Sequence, residues 1–270
     1  MTNRRAFLLQ LAAVGVAPRL LANQAPGVSS RPRAKLRFAI ASDGHFGQPG
    51  TDFEGFHKEM IGWLNDESRS KGLDFVVFNG DLIHNDQSLL PQVKQRYDQL
   101  QIPYFANRGN HDMVSPGFWK QTWGYAENHS FERGDYGFIL ASTANEKGEY
   151  LPADVNWLRT QMEGFKAKKG IFAFLHIGQV KFTRHSITSP EVCAVFEQTP
   201  NLLAVFHGHD HDIDSVIYSN KRAYFFDGHM GGNWGTNYRG YRIVELSDDG
   251  RFITYQCNPQ AFYVNRNTIG

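Results

Sequence analysis

The stretch Ile102-Pro103-Tyr104-Phe105-Ala106-Asn107-Arg108-Gly109-Asn110-His111-Asp112 passes from an apolar run to a polar cluster within a few residues. Ile102 to Ala106 reads as a short buried strand. Gly109 lets the chain turn sharply as it leaves that strand. The turn carries Asn110, His111 and Asp112 past the strand end, where open α/β sheets bind ligands. An amide oxygen, an imidazole and a carboxylate side by side can bind a metal, orient an oxygen and move a proton. Taken alone, the triplet is ordinary turn chemistry. What decides the fold is whether other strands end in the same way.

They do. Leu36 to Ser42 reads as a strand and leads into Asp43-Gly44-His45. Leu73 to Phe78 leads into Asn79-Gly80-Asp81, Ile171 to Leu175 into His176, and Leu202 to Phe206 into His207-Gly208-His209-Asp210-His211. Helical spacing separates these strands: Phe53, Phe56, Met60, Trp63 and Leu64 share one face, as do Val155, Leu158, Met162 and Phe165. A further helix is expected over Leu89 to Leu100, with Pro91 in its first turn, and another near Pro190. Ser130 to Arg133 and Tyr136 to Ser142 are expected to pair about Gly134-Asp135. After Ile213 the pattern is all strand: Ser215 to Ser219, Ala223 to Asp227, Tyr241 to Leu246 and Phe252 to Gln256. A Gly- and Asn-rich loop, Gly228 to Gly240, interrupts it, either a mobile rim or a long turn plugged by Trp234. One α/β domain over 35–259 is expected, after a linker at 26–34 and before a C-terminal tail at 260–270.

The strand ends supply four His, two Asp and one Asn amide, more donors than one metal needs. Nitrogen and oxygen ligands without thiolate suit Mn, Fe, Zn or Co better than Ca or Mg. In Asp43-x-His45 and His209-x-His211, an extended backbone would put both side chains on one side.

The order Asp43-Gly44-His45, Gly80-Asp81, Gly109-Asn110-His111-Asp112, His176, Gly208-His209-Asp210-His211 resembles the calcineurin-like metallophosphoesterases, over about residues 35–212. The resemblance implies two facing β-sheets flanked by helices, an α/β-β-α sandwich. It implies two divalent transition-metal ions: Asp43, His45 and His211 on the first, Asn110, His176 and His209 on the second, and Asp81 shared. A hydroxide held between the metals would attack phosphorus in line, with His111 as the catalytic proton donor. Asn110 and Arg108 are candidates for contacting substrate. Where phosphoprotein phosphatases of this superfamily carry an Asp that holds the catalytic His, this chain has His84; Asp112 and Asp86 are the candidate replacements. The same position lacks the Tyr of the purple acid phosphatase branch. These departures favour a small-molecule phosphomonoester or phosphodiester as substrate. The opposing reading is a non-catalytic metal-binding scaffold.

The remaining sequence bounds the partners. The formal net charge of +1 gives no basic field for nucleic acid. Two cysteines, Cys193 and Cys257, make no disulfide framework and are expected as buried free thiols. Asn3-Arg4-Arg5-Ala6-Phe7-Leu8-Leu9 and the apolar stretch to Ala17 resemble a twin-arginine export signal over residues 1–25. The expected location is the bacterial periplasm or the exterior, reached through the twin-arginine machinery, with no stable membrane anchor. Arg184 and His185 are candidates for the cleft mouth. His207, His57, His129 and His229 are expected to play structural parts.

Overall fold

The computed structural model describes residues 34–260 and 262–269, so the expected export signal lies outside the described residues. Among the described residues, twelve strands form two six-stranded sheets. In the first, β10 (Tyr241–Leu246), β11 (Phe252–Asn258) and β12 (Phe262–Ile269) continue antiparallel from β1 (Leu36–Ala41), on whose other side β2 (Phe75–Asn79) and β3 (Tyr104–Asn107) run parallel. The second has the order β4 (His129–Arg133), β5 (Tyr136–Ala141), β6 (Gly170–Leu175), β7 (Leu202–His207), β9 (Arg222–Phe226) and β8 (Val216–Ser219). Strands β5, β6, β7 and β9 run parallel there.

The alternation in β1 shows why the sheets face each other. Leu36, Phe38 and Ile40 join the cluster between the sheets, whereas Ala39 and Ala41 join the cluster under the helices. Large rings fill the gap between sheets, and small methyl groups let a helix come close. Phe38 stacks on Phe75 at 5.0 Å and meets Phe138 of the opposite sheet edge-on at 5.5 Å. Each such pair is worth roughly 0.5–1.5 kcal/mol beyond the area it buries. Helices α1 (Phe53–Lys71), α2 (Leu90–Tyr97) and α3 (Pro116–Trp123) cover the first sheet, and α4 (Val155–Gly164) and α5 (Pro190–Glu197) the second. Helix α1 starts where the Asp52 carboxylate accepts from the Gly55 N–H, and it stops at Gly72. This is the expected α/β-β-α sandwich.

Two boundaries differ from expectation. β3 begins at Tyr104, two residues later than the apolar run suggests. The segment expected as a tail carries β12, which pairs antiparallel with β11 and extends the sheet beyond residue 259. Asn265, Arg266 and Asn267 break the apolar alternation that marks a strand in sequence. The free edge of β11 supplies the order instead.

Candidate metal centre

The parallel strands β1, β2 and β3 and their counterparts β5, β6 and β7 bring their C-terminal ends to matching edges of the two sheets, and the turns there are sewn together. The Asp43 N–H donates to Gly80 O at 3.0 Å, His45 N–H to Asp81 O at 2.8 Å, and Gly208 N–H to His176 O at 3.1 Å. The extended backbone expected through Asp43-x-His45 and His209-x-His211 is not what brings these side chains together. Asp43, His45, Asp81 and His209 all have left-handed backbone, with φ of 58°, 45°, 52° and 66°. For residues other than glycine such a conformation costs on the order of 1–3 kcal/mol each and needs rigid surroundings. Gly109 also acts differently from the expected sharp turn: its φ is not left-handed, but a Cβ there would strike the Asp81 backbone and carboxylate. It is glycine so that β3 can press against the centre.

Among the described residues, two fully buried ligand groups result. Asp43, His45 and His211 form one, and Asp81, His176 and His209 the other, with the donor atoms of each group within 4.8 Å of one another. His45 also makes a third such group with the half-buried His84 and His111. His211 Nε2 lies 2.9 Å from Asp43 Oδ1 and 3.0 Å from His45 Nε2. Asp81 Oδ2 reaches both groups, 3.6 Å from His45 Nε2 and 3.2 Å from His176 Nε2. All six residues are buried. The side-chain oxygen of Asn110 and the Nε2 atoms of His176 and His209 are buried without a hydrogen-bond partner. Stranding three such atoms would be costly, and a coordinated cation satisfies them.

The electrostatics agree. Burial alone would raise Asp43 and Asp81, but the neighbouring His211 and His176 outweigh it and hold both carboxyls well below their usual range. Burial alone would lower His176, yet Asp81 and Asp43 raise it to about 10. The two carboxylates thus call for positive charge at this spot, as a proton or as a metal. Burial lowers His45 to about 3 and His209 to about 4, which leaves them neutral donors. His176 Nδ1 bonds to Asn79 O at 2.7 Å and His211 Nδ1 to Trp234 O at 3.1 Å. Each carbonyl can accept only from an Nδ1–H, which orients the ring with Nε2 toward the metal site.

His111 stands beside the first group, its ring 4.8 Å from that of His45. Neither expected carboxylate holds it. Asp112 is fully buried and accepts from the N–H groups of Gly109, Leu82 and Ile83, so it closes the turn. Asp86 accepts from Ser88 N–H at the start of a short helical turn. The partner is Asn85: its side-chain oxygen lies 2.7 Å from His111 Nδ1, and its N–H donates to His111 O at 3.0 Å. Asn85 is itself left-handed, at φ 66°. No local pattern in the sequence marks it, although its place one residue after His84 does. His84 stacks on His111 at 4.9 Å and 11°.

The Arg108 side chain is engaged by its own loop. It is buried, and its guanidinium donates to Asp112 O and Val114 O and pairs with Glu127. Lacking water, the Arg cannot stay unpaired, and the loop 112–127 satisfies it. His185 does reach the centre, its ring 5.7 Å from His209. His207 is buried at its strand end against Leu175 O, and His57, His129 and His229 have structural partners. Trp234 stacks on His211 at 4.2 Å and 7°, the aromatic-plug form of the 228–240 loop. Cys193 and Cys257 are both free, Cys257 buried and Cys193 half-buried.

The family described as calcineurin-like phosphoesterase matches residues 36–212, well over half of the chain, and includes every ligand named above. The chain belongs to the calcineurin-like phosphoesterases. Its two ligand groups are those of a dinuclear-metal hydrolase, and it is a metal-dependent phosphoesterase. Among solved structures, this phosphoesterase is similar to a dimetal phosphatase from Danio rerio: 12% identity, TM-score 0.66, 87% of this chain and 99% of the other covered. It is similar to purple acid phosphatase PPD1 from yellow lupin, Lupinus luteus, at 14% identity and TM-score 0.66, spanning 87% of its own length and 53% of the lupin chain. It is also similar to the sulfate thiohydrolase SoxB of Thermus thermophilus, at 12% identity and TM-score 0.53, with 88% and 56% covered. At these identities the likeness is one of fold. No curated protein matches the chain.

Proposed function

We propose that this phosphoesterase hydrolyses a small-molecule phosphomonoester or phosphodiester at two divalent transition metals, drawn from Mn, Fe, Zn and Co. Asp43, His45 and His211 would hold one and Asn110, His176 and His209 the other, with Asp81 shared. When bound, the metals supply Lewis-acid charge for the phosphoryl oxygens and an activated water. The observation that carries the reading is Asp81, whose one carboxylate oxygen lies within reach of both ligand groups.

The chain's own residues supply the rest. His111 Nδ1–H is held by the Asn85 side-chain oxygen, so in its doubly protonated form the ring keeps Nε2–H free to give a proton to the leaving oxygen and returns to the neutral Nδ1–H form. The His111 backbone N–H donates to Asp81 Oδ1 at 2.8 Å, which ties the proton donor to the shared ligand. A half-exposed His111 beside buried ligands suits a group that meets substrate rather than metal. His84 in place of an Asp supports a small substrate rather than a phosphoprotein.

The test is a panel of phosphomono- and phosphodiesters assayed on stripped enzyme reloaded with each metal. His111→Ala is expected to lower kcat by about 10²–10⁴ at full metal content. Hydrolysis unchanged at full loading would overturn the assignment of His111. Metal binding with no hydrolysis across the panel would favour the scaffold reading.

The sequence of residues 1–25 supports export through the twin-arginine machinery, and no helix among the described residues is long and apolar enough to cross a membrane. Replacing Arg4 and Arg5 by Lys is expected to keep the protein in the cytoplasm, as read by cell fractionation. Unchanged fractionation would remove this part of the proposal.

A further inference from the structure

The outer side of the metal centre is edged by a chain of aromatic rings that metal binding does not use. The Tyr150 ring meets that of His209 edge-on at 4.9 Å. His185 lies 5.7 Å from His209 on one side and 5.9 Å from Trp234 on the other. Trp234 in turn covers the face of His211. Three separate loops contribute these rings, and they touch a ligand from each of the two groups. Tyr150 keeps 41% of its surface exposed and Trp234 40%, although every ligand beside them is buried.

These rings are held in place. The turn that presents Tyr150 is closed by Gly148 N–H to Asn145 O at 3.0 Å, and Gly148 approaches Asn110 O and Met113 so closely that a Cβ would not fit. Trp234 is anchored through its carbonyl to His211 Nδ1 and by Thr236 N–H to His211 O at 3.0 Å. Arg184 donates its Nε to His185 Nε2 at 2.8 Å, so the His185 ring is fixed as well. An exposed ring that is also rigid binds at low entropic cost.

We propose that this arc is the subsite for the ester group, and that the substrate is a phosphoester carrying a planar aromatic ring, an aryl or nucleobase group, next to its phosphate. The inference rests on the phosphoesterase reading, since it is the metal pair that places the phosphate. With the phosphate there, the ester group lies against Tyr150 and Trp234. The guanidinium of Arg108, the cation nearest in sequence to the centre, is turned into the 112–127 loop, so charge recognition by that group is not available. A stacked ring gains from both exposed aromatics through offset or edge-on contact, whereas a polyol such as glycerol gains little.

The experiment uses the metal-loaded full chain and non-hydrolysable phosphonates, so leaving-group reactivity does not enter. Binding of benzylphosphonate, cyclohexylmethylphosphonate and methylphosphonate is measured by calorimetry, and by competition against hydrolysis of a nitrophenyl phosphoester. Benzylphosphonate is expected to bind about tenfold more tightly than methylphosphonate, with the cyclohexyl compound well below it. The benzyl-to-methyl ratio is expected to collapse toward one in Trp234→Leu and in Tyr150→Leu and to persist in Trp234→Phe. Because the ratio is taken within each variant, any loss of metal or fold cancels. Equal binding of the benzyl and cyclohexyl compounds, an unchanged ratio in the Leu variants, or no phosphonate binding at all would overturn the subsite. Hydrolysis without benzyl preference defeats this inference alone; benzyl preference without hydrolysis of any phosphoester defeats the activity and leaves the subsite standing.

Discussion

His45 Nδ1 and His84 Nδ1 lie 3.1 Å apart, so one of the two must donate to the other. His45 Nε2 points at His211 and Asp81 inside the centre, and a ring offering that nitrogen to a metal carries its proton on Nδ1. His84 is then the acceptor. Burial and the nearby His111 lower His84, which keeps it neutral and able to accept. A neutral ring thereby takes the place of the carboxylate that commonly orients a metal-bound histidine.

This pairing predicts a divided outcome at position 84. His84→Phe keeps a ring over His111 but removes the acceptor. Metal affinity is expected to fall by about tenfold to a hundredfold, measured by competition with a chelator. His84→Gln, which restores an acceptor, should recover most of the loss. Equal affinities in wild type and His84→Phe would show that the contact orients nothing.

Asn85 holds the His111 ring by its Nδ1–H with an uncharged oxygen. Asn85→Ala is expected to lower kcat by about tenfold, part of the 10²–10⁴ that acid–base catalysis supplies, while KM and metal content stay near wild type. Steady-state kinetics beside metal analysis of the same sample decides it. A fall in metal content equal to the fall in kcat would mean that Asn85 supports the centre rather than the proton donor.

Below the centre, buried amides tie the two sheets together. Asn107 Nδ2 donates to Asn79 Oδ1 at 3.0 Å and to Phe174 O of the opposite sheet at 3.1 Å, and Asn79 Nδ2 donates to Phe206 O at 3.2 Å. Asn107→Ala strands two acceptors in a dry interior and is expected to cost about 3 kcal/mol. Urea unfolding at pH 7 would measure it. A cost below about 1 kcal/mol, the net worth of one ordinary hydrogen bond, would show that the interior relaxes or admits water.

Stability is expected to fall in mild acid because of His57. This ring is fully buried and gives its Nδ1–H to Phe53 O at 2.7 Å. Burial lowers it to about 4 from an ordinary 6.5. Between those values the unfolded chain binds the proton and the folded chain does not, so stability is intact above pH 6.5 and is lost as pH falls toward 4. The loss is on the order of 2–3 kcal/mol for this residue. Urea midpoints between pH 4.5 and 7 should show it, with a shallower slope in His57→Gln; parallel slopes would refute the assignment to His57.

The strand ends made the centre legible. Asp43, His45, Asp81, His176, His209 and His211 could be read because each follows an apolar run, and the structure gathers these six into two groups, with the Asn110 side-chain oxygen buried and unpartnered. The sheets were legible for a similar reason, since alternation in strands such as β1 separates the face toward the other sheet from the face toward the helices. What could not be read depends on contacts between distant parts of the chain. Arg108 looked available beside the site, but Glu127 and the Val114 carbonyl, folded back over it, take its charge. Asn85 is marked by no motif, and only the approach of β3 to the turn after β2 makes it the partner of His111. β12 takes its order from the edge of β11 rather than from its own pattern.

The four left-handed residues at the centre set stability and chemistry against each other. Glycine at position 43, 45, 81 or 209 would relax the backbone and remove a ligand in one step. Selection of this chain for heat resistance in a chelating medium should therefore drift toward glycine at these positions and yield sturdier, inert proteins. Only with metal present would survival and hydrolysis favour the same sequence.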